Sequence, residues 1–279
     1  HLTRTKILLK KLLEWQKQRD FPFSFITQAS INVAHDEEML DLMSEANFRI
    51  LFIGIETPDT STLSAIQKIQ NTREDMIECI KKIQARRIMV MGGFIIGFDT
   101  DNDTIFDMQI DFIQSAGIPI AMVGLLGAIP NTQLYRRLRR ENRLIGNGWH
   151  TFNNIDLCLN FVPRMPERIV IEGYKKVMAE IYSPRRWFER TLKMLERFSQ
   201  DPPPRKMRLF KDDATLVHKL RCISMDLSFF TKQLFSFYGF EYLKFIIKAW
   251  KTNRASFLAA VAFAATFPHY HGIARKIAE

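Results

Sequence analysis

The run Ile50-Leu51-Phe52-Ile53-Gly54-Ile55 is apolar at every position, has the length of a strand, and stops at Thr57-Pro58-Asp59. A strand with no polar alternation buries both of its faces, as strands do in parallel sheets covered on two sides. Similar runs occur at residues 88–97 and 120–126, and a shorter one, aromatic and β-branched, at 23–30. Between them lie stretches of helical periodicity at 36–46, at 61–69 with 72–86, and at 103–116, the last stopped by Gly117. His35 or Asp36 is placed to cap the first of these. Strand–helix alternation with short connections means βαβ units and a parallel sheet. A helix at 7–18 precedes the first strand, and a basic helix at 132–142 follows the fourth beyond Pro130. Four units do not close a barrel, so the expected fold is α/β, the later part of an incomplete, TIM-like parallel barrel.

Beyond Gly146 the character changes. Glycines at 146 and 148 and the Asn153-Asn154 pair make an irregular link, and from Pro166 the periodicity is helical: 167–181, 184–198, a break at Pro202-Pro203-Pro204, then 213–250 and 254–267 before Pro268. The expected division is a barrel part over residues 1–150 and an all-α extension over 151–279. Charge divides the same way. Of 40 Lys and Arg and 30 Asp and Glu, residues 1–160 carry 18 and 19, leaving 22 and 11 for residues 161–279. A surplus of that kind fits either a solvated helical surface or an anionic partner such as a membrane surface or nucleic acid. The aromatic run from Phe229 to Ile246, interleaved with lysines, reads by default as a buried helix–helix core, with a lipid-facing amphipathic helix as the alternative. No window is long enough to span a bilayer.

Ligands of parallel α/β sheets sit at the carboxyl ends of the strands. The residues there are Gln28 and Ser30, then Gly54, Glu56 and Thr57, then Gly93, Gly97 and Asp99, then Gly127, Pro130 and Asn131. Glu56 is the sharpest of these, because a carboxylate ending an apolar strand is costly to bury without a partner. Gly93-Phe94-Ile95-Ile96-Gly97 sets two glycines around Ile95, letting a ligand approach the backbone. The arginines at 136–140 read as one solvated helix face, with Leu134 and Leu138 inward. Cys79, Cys158 and Cys222 lie far apart, no pair has metal-ligand spacing, and no metal site is expected on this chain. An odd cysteine count points to reduced thiols and a cytoplasmic protein, and the start at His1 reads as that of a fragment.

In this order, Phe25-Ile26-Thr27-Gln28-Ala29-Ser30-Ile31, Phe52-Ile53-Gly54-Ile55-Glu56-Thr57-Pro58, Gly92-Gly93-Phe94-Ile95-Ile96-Gly97-Phe98-Asp99 and Ala121-Met122-Val123-Gly124-Leu125-Leu126 resemble consecutive strands of a radical S-adenosylmethionine enzyme. The branch they look like has an N-terminal cobalamin-binding domain and a helical C-terminal extension, and includes the hopanoid C-2 methylases. The resemblance implies S-adenosylmethionine and a 4Fe–4S cluster as cofactors, with cobalamin on a domain outside this chain. It implies Gln28 and Ser30 near the ribose or methionine end, Glu56 bordering the pocket, and Gly93, Ile95 and Gly97 against the adenine. The Cys-x3-Cys-x2-Cys loop of that family is absent, so the cluster ligands are expected in a missing N-terminal part of the same enzyme. Where relatives often carry Pro-Gly-Glu after the last glycine, this chain has Phe98-Asp99-Thr100. The implied function is methyl transfer to an unactivated carbon of a small molecule; the aromatic and basic extension adds a lipid as a candidate substrate and peripheral membrane contact as an expectation. A non-catalytic degenerate barrel and an RNA-modifying relative are the other readings. An unpaired strand edge is expected where the sheet is cut.

Overall fold

The computed structural model describes residues 2–68, 71, 75–145, 157–198 and 230–279. Helix α1 (Leu2–Gln18) leads into β1 (Phe25–Gln28), a 3₁₀ turn (Ile31–His35) and α2 (Glu37–Glu45). Then come β2 (Phe48–Glu56), α3 (Thr60–Ala65), α4 (Met76–Ala85), β3 (Met89–Ile96), α5 (Ile105–Ala116), β4 (Ile120–Leu125) and α6 (Gln133–Arg140). The extension contributes α7 (Glu167–Ile181), α8 (Pro184–Arg197), α9 (Gly239–Thr252) and α10 (Phe257–Ala278). Asp36, Asp59, Asp75 and Thr132 each accept an amide hydrogen bond that starts the helix they precede. Gly117 takes a left-handed conformation (φ 63°) to end α5.

The four strands pair in parallel in the order β1-β2-β3-β4. Leu51, Ile53, Ile55, Val90, Ile96 and Val123 are buried toward the helix layer, with α2 on β2, α4 on β3 and α7 on β4. The alternate residues face the other way, where described residues leave the sheet open: Ile26 is 58% and Met122 55% exposed. Parallel sheets are ordinarily covered on both faces, so this surface has the form of a barrel's inner wall.

The two sheet edges differ. β1 forms one edge, where no strand among the described residues pairs with it. The outer edge of β4, however, is closed by a helix. Tyr182 Oη donates to Ala121 O (2.9 Å) and accepts from Ala121 N–H (3.2 Å), while Tyr174 Oη donates to Val123 O (3.3 Å). Two residues of one strand edge, two apart, are thus met by two tyrosines eight apart around α7. Burial pushes both phenols up to about 12, so they remain protonated donors at neutral pH.

Several expected boundaries shift. β1 is shorter than 23–30, because Ser30 already enters the 3₁₀ turn. α4 starts at Met76, where Asp75 accepts from Ile77 N–H, rather than at Thr72; residues 72–74 and Ile69 lie outside the described set. Of the stretch expected at 213–250, residues 213–229 lie outside the described set, and the remainder is interrupted before Gly239. α10 runs through Pro268 instead of stopping there. An interior proline forfeits a backbone bond at a cost of roughly 3 kcal/mol. Burial offsets it: Phe267 is fully buried, with its ring centroid 4.8–5.2 Å from those of Trp187, Phe188 and Tyr238.

Candidate functional site

The open face of the sheet encloses a cavity of about 560 Å³, within the usual range for small-molecule sites. Gln28, Ser30, Glu56, Gly93 and Ile95 all line it, together with Phe52, Gly54, Met122 and Gly124. Gly97 does not. It bends the chain after β3 (φ 106°), and a Cβ there would meet Leu126 and Val170, away from the cavity.

The wall is most constrained at Glu56. Between Gly54 and Glu56 the β2–β3 register slips, with Gly54 opposite Gly93 but Glu56 opposite Phe94. Thr57 N–H donates back to Ile55 O (2.9 Å), closing a γ-turn whose central residue, Glu56, has φ 69°. A non-glycine residue held there stores about 1–3 kcal/mol of backbone strain. The carbonyls released by the slip are met by residues the sequence pattern did not single out. Lys68 Nζ donates to Gly54 O (3.1 Å) and pairs with the Glu56 carboxylate, while Asn71 Nδ2 donates to Gly54 O (3.3 Å) and Ile55 O (3.1 Å). The carboxylate therefore has its cation, and both line the cavity. Lys68 was hidden because it reads as part of the helix expected at 61–69, whereas α3 ends at Ala65 and leaves it in the turn beyond. A Cβ on Gly93 would lie 2.9 Å from Phe52 Cζ, so the absence of a side chain keeps the cavity floor flat beside that ring.

The two acids after β3 hold structure rather than face the cavity. Asp99 receives a forked pair from Arg143 (2.6 and 3.0 Å) and a bond from Arg137 (2.7 Å). Arg143 is the main reason its carboxyl titrates below the usual range. Arg137 bonds Asp99 while its side chain stays 44% exposed, and Leu138 is buried as expected. Asp101 accepts from Gly97 N–H (2.8 Å) and Phe98 N–H (3.0 Å) through one oxygen, leaving the other buried without a partner. Burial raises its pKa to about 6 against the two amide bonds, and the Asp59 charge adds to the rise. The folded form thus binds a proton more readily than the unfolded chain, so stability falls as pH climbs from about 4 to about 6. Asp101→Asn removes that slope. The stability of the parent relative to the variant, followed by thermal melts, is expected to be higher at pH 4.5 than at pH 7.5; a pH-independent difference would refute this role.

Comparison with known sequences adds a decisive finding. The Radical SAM superfamily profile matches residues 3–113, and that of a domain of unknown function, DUF4070, matches residues 132–279. The chain belongs to the radical SAM superfamily. Its second half is a DUF4070 domain. This radical SAM chain is 39% identical over 185 residues to an uncharacterized methyltransferase of Synechocystis sp., covering 66% of this chain and 34% of the relative. It is 37% identical over 177 residues to the hopanoid C-2 methylase of Rhodopseudomonas palustris, covering 63% and 32%. With the bacteriochlorophyllide d C-12(1)-methyltransferase of Chlorobaculum tepidum it shares 23% identity over 154 residues, covering 55% and 33%. The chain spans about a third of the length of these curated relatives.

Membership of the superfamily implies S-adenosylmethionine and a 4Fe–4S cluster, and the described residues suit one and not the other. The cavity offers a carboxylate, an ammonium, an amide and a hydroxyl above a floor of glycine backbone, a donor set matched to an amino acid end, a ribose diol and a flat base. The cluster needs thiolates. Cys79 is buried on α4, its Sγ 3.9 Å from His35 Nε2, Cys158 is exposed, and Cys222 lies outside the described residues. Among the described residues no three His, Cys, Asp or Glu side chains are grouped to hold a metal. None of the described helices is long and apolar enough to cross a membrane.

Proposed function

We propose that this chain is the later barrel half and helical extension of a radical S-adenosylmethionine methyltransferase acting on an unactivated carbon of a lipid or other small molecule. The division falls near residue 150, and the cluster-bearing loop and a cobalamin domain belong to a part of the enzyme outside this sequence. The observation that carries the reading is the strained γ-turn at Glu56, which sets an ion-paired carboxylate into the wall of a cofactor-sized cavity. The methyltransferase and methylase names of the similar proteins support the reaction class. S-adenosylmethionine, when reduced at the cluster, supplies a 5′-deoxyadenosyl radical.

In this reading the chain's own residues position the cofactor. Gln28, Ser30 and Glu56 hold its polar groups, Lys68 orients the Glu56 carboxylate, and Gly93 and Ile95 give the adenine a flat seat. The enzyme is cytoplasmic, and its apolar substrate brings it against a membrane. Anaerobic reconstitution of the full-length gene product with iron and sulfide tests the class. Reductive cleavage of S-adenosylmethionine to 5′-deoxyadenosine is expected, and a reconstituted cluster without any cleavage would dispose of the proposal.

A further inference from the structure

The aromatic run of the extension does two jobs that its sequence ran together. Tyr238, Tyr242, Phe245, Ile246 and Ala249 are buried against α8 and α10. On another face of α9, Phe240 (78%), Leu243 (40%), Ile247 (47%) and Trp250 (48%) are exposed. Their spacing of three, four and three residues places them within an arc of about 80° on a helix. Lys244, Lys248 and Lys251, all exposed, fill the adjoining arc. The helix thus carries three stripes: one buried, one apolar and open, one cationic.

We infer that the open stripe of α9 is an in-plane docking face for an anionic lipid bilayer. A helix of 14 residues is too short to cross a membrane but suits the interface, where apolar side chains enter the acyl boundary and flanking lysines reach headgroup phosphates. Charge selects this occupant. Residues 230–279 hold seven Lys and Arg against two Glu, and only Glu241, 3.9 Å from Lys244, tempers the lysine stripe on α9 itself. Two copies pairing through the same stripe would bring those lysines together, and RNA would leave the apolar arc unused. The face is also rigidly presented. Trp250 is pinned edge-on by Phe257 (4.9 Å between centroids) and covered by the Arg254 guanidinium (5.3 Å). The turn into α9 is fixed by the Tyr238 Oη bond to Gln233 Oε1 (2.6 Å), and a Cβ on Gly239 would strike the carbonyl of Leu234.

This face deepens the reading of an enzyme that takes a lipid-side substrate, and it is tested without turnover. Co-sedimentation of the full-length protein with phosphatidylcholine vesicles, with and without phosphatidylglycerol, reads it directly. Binding is expected only with phosphatidylglycerol, weakened by salt, and reduced about tenfold or more by Phe240→Ser with Ile247→Ser, whose exposed positions leave the melting temperature unchanged. No binding to either vesicle, binding indifferent to the double variant, or variant-sensitive dimerisation or RNA binding without vesicle binding overturns the inference. Failure here with intact S-adenosylmethionine cleavage removes the docking face alone; the converse removes the enzymatic reading alone.

Discussion

Arg190→Met is expected to cost the fold roughly 3–5 kcal/mol, lowering the melting temperature by about 10 °C. The guanidinium is wholly buried and, among the described residues, has no carboxylate in its bonding shell. It donates instead to three carbonyls: Ile118 O (2.7 Å), Pro119 O (3.1 Å) and Ile181 O. Ile118 and Pro119 form the turn from α5 into β4, and Ile181 ends α7, so one side chain on α8 ties the last strand to two helices of the extension. The Tyr182 ring lies 5.4 Å away, and burial draws the guanidinium down to about 10, still cationic at neutral pH. Methionine restores most of the volume but no donor. The loss therefore measures three orphaned carbonyls, offset by the charge no longer buried. Arg190→Lys keeps the charge but not the fork, and is expected to fall between. A methionine variant melting within about 2 °C of the parent would mean that the three carbonyls find other donors.

That Arg190 was invisible in the sequence, while the sheet was not, has a physical reason. The strands at 50–55, 88–97 and 120–126 declare themselves because their residues are apolar on both faces, one packed on the helix layer and the other lining the cavity wall. Strand-end positions follow from them, and the structure brings Gln28, Ser30, Glu56, Gly93 and Ile95 onto one concave surface. What the sequence does not reveal is made by single polar atoms reaching across long separations. Lys68 meets β2 from a turn 12 residues beyond Glu56, Tyr182 closes the edge of β4 from 61 residues away, and Arg143 finds Asp99 at a separation of 44. No periodicity marks such partners. Pro268 misled for the opposite reason: a strong local rule was overridden by aromatic burial around Phe267. The aromatic run misled in part because its two faces alternate helically, and only packing shows which one α8 and α10 cover.

Gly93→Leu is expected to abolish S-adenosylmethionine binding, weakening it by a factor of about 100 or more in the reconstituted full-length enzyme, while leaving the fold nearly as stable as before. The two halves of that expectation come from one contact. A Cβ at position 93 would sit 2.9 Å from Phe52 Cζ, the far end of a half-buried side chain that borders the cavity. Phe52 can yield by swinging outward, so little strain remains in the sheet; the leucine and the displaced ring then occupy the space the adenine needs. Gly54 is a contrasting case. A Cβ there would meet Glu56 Oε1 at 2.6 Å and Lys68 Nζ at 2.9 Å, so Gly54→Leu would break the ion pair as well as fill the cavity, and binding and stability would fall together. Calorimetric titration with S-adenosylmethionine and thermal melts, run on both variants, separate the effects. If Gly93→Leu bound the cofactor as tightly as the parent, the cavity on this face of the sheet would not be the adenine's seat, and the roles given to Glu56 and Lys68 would fall with it.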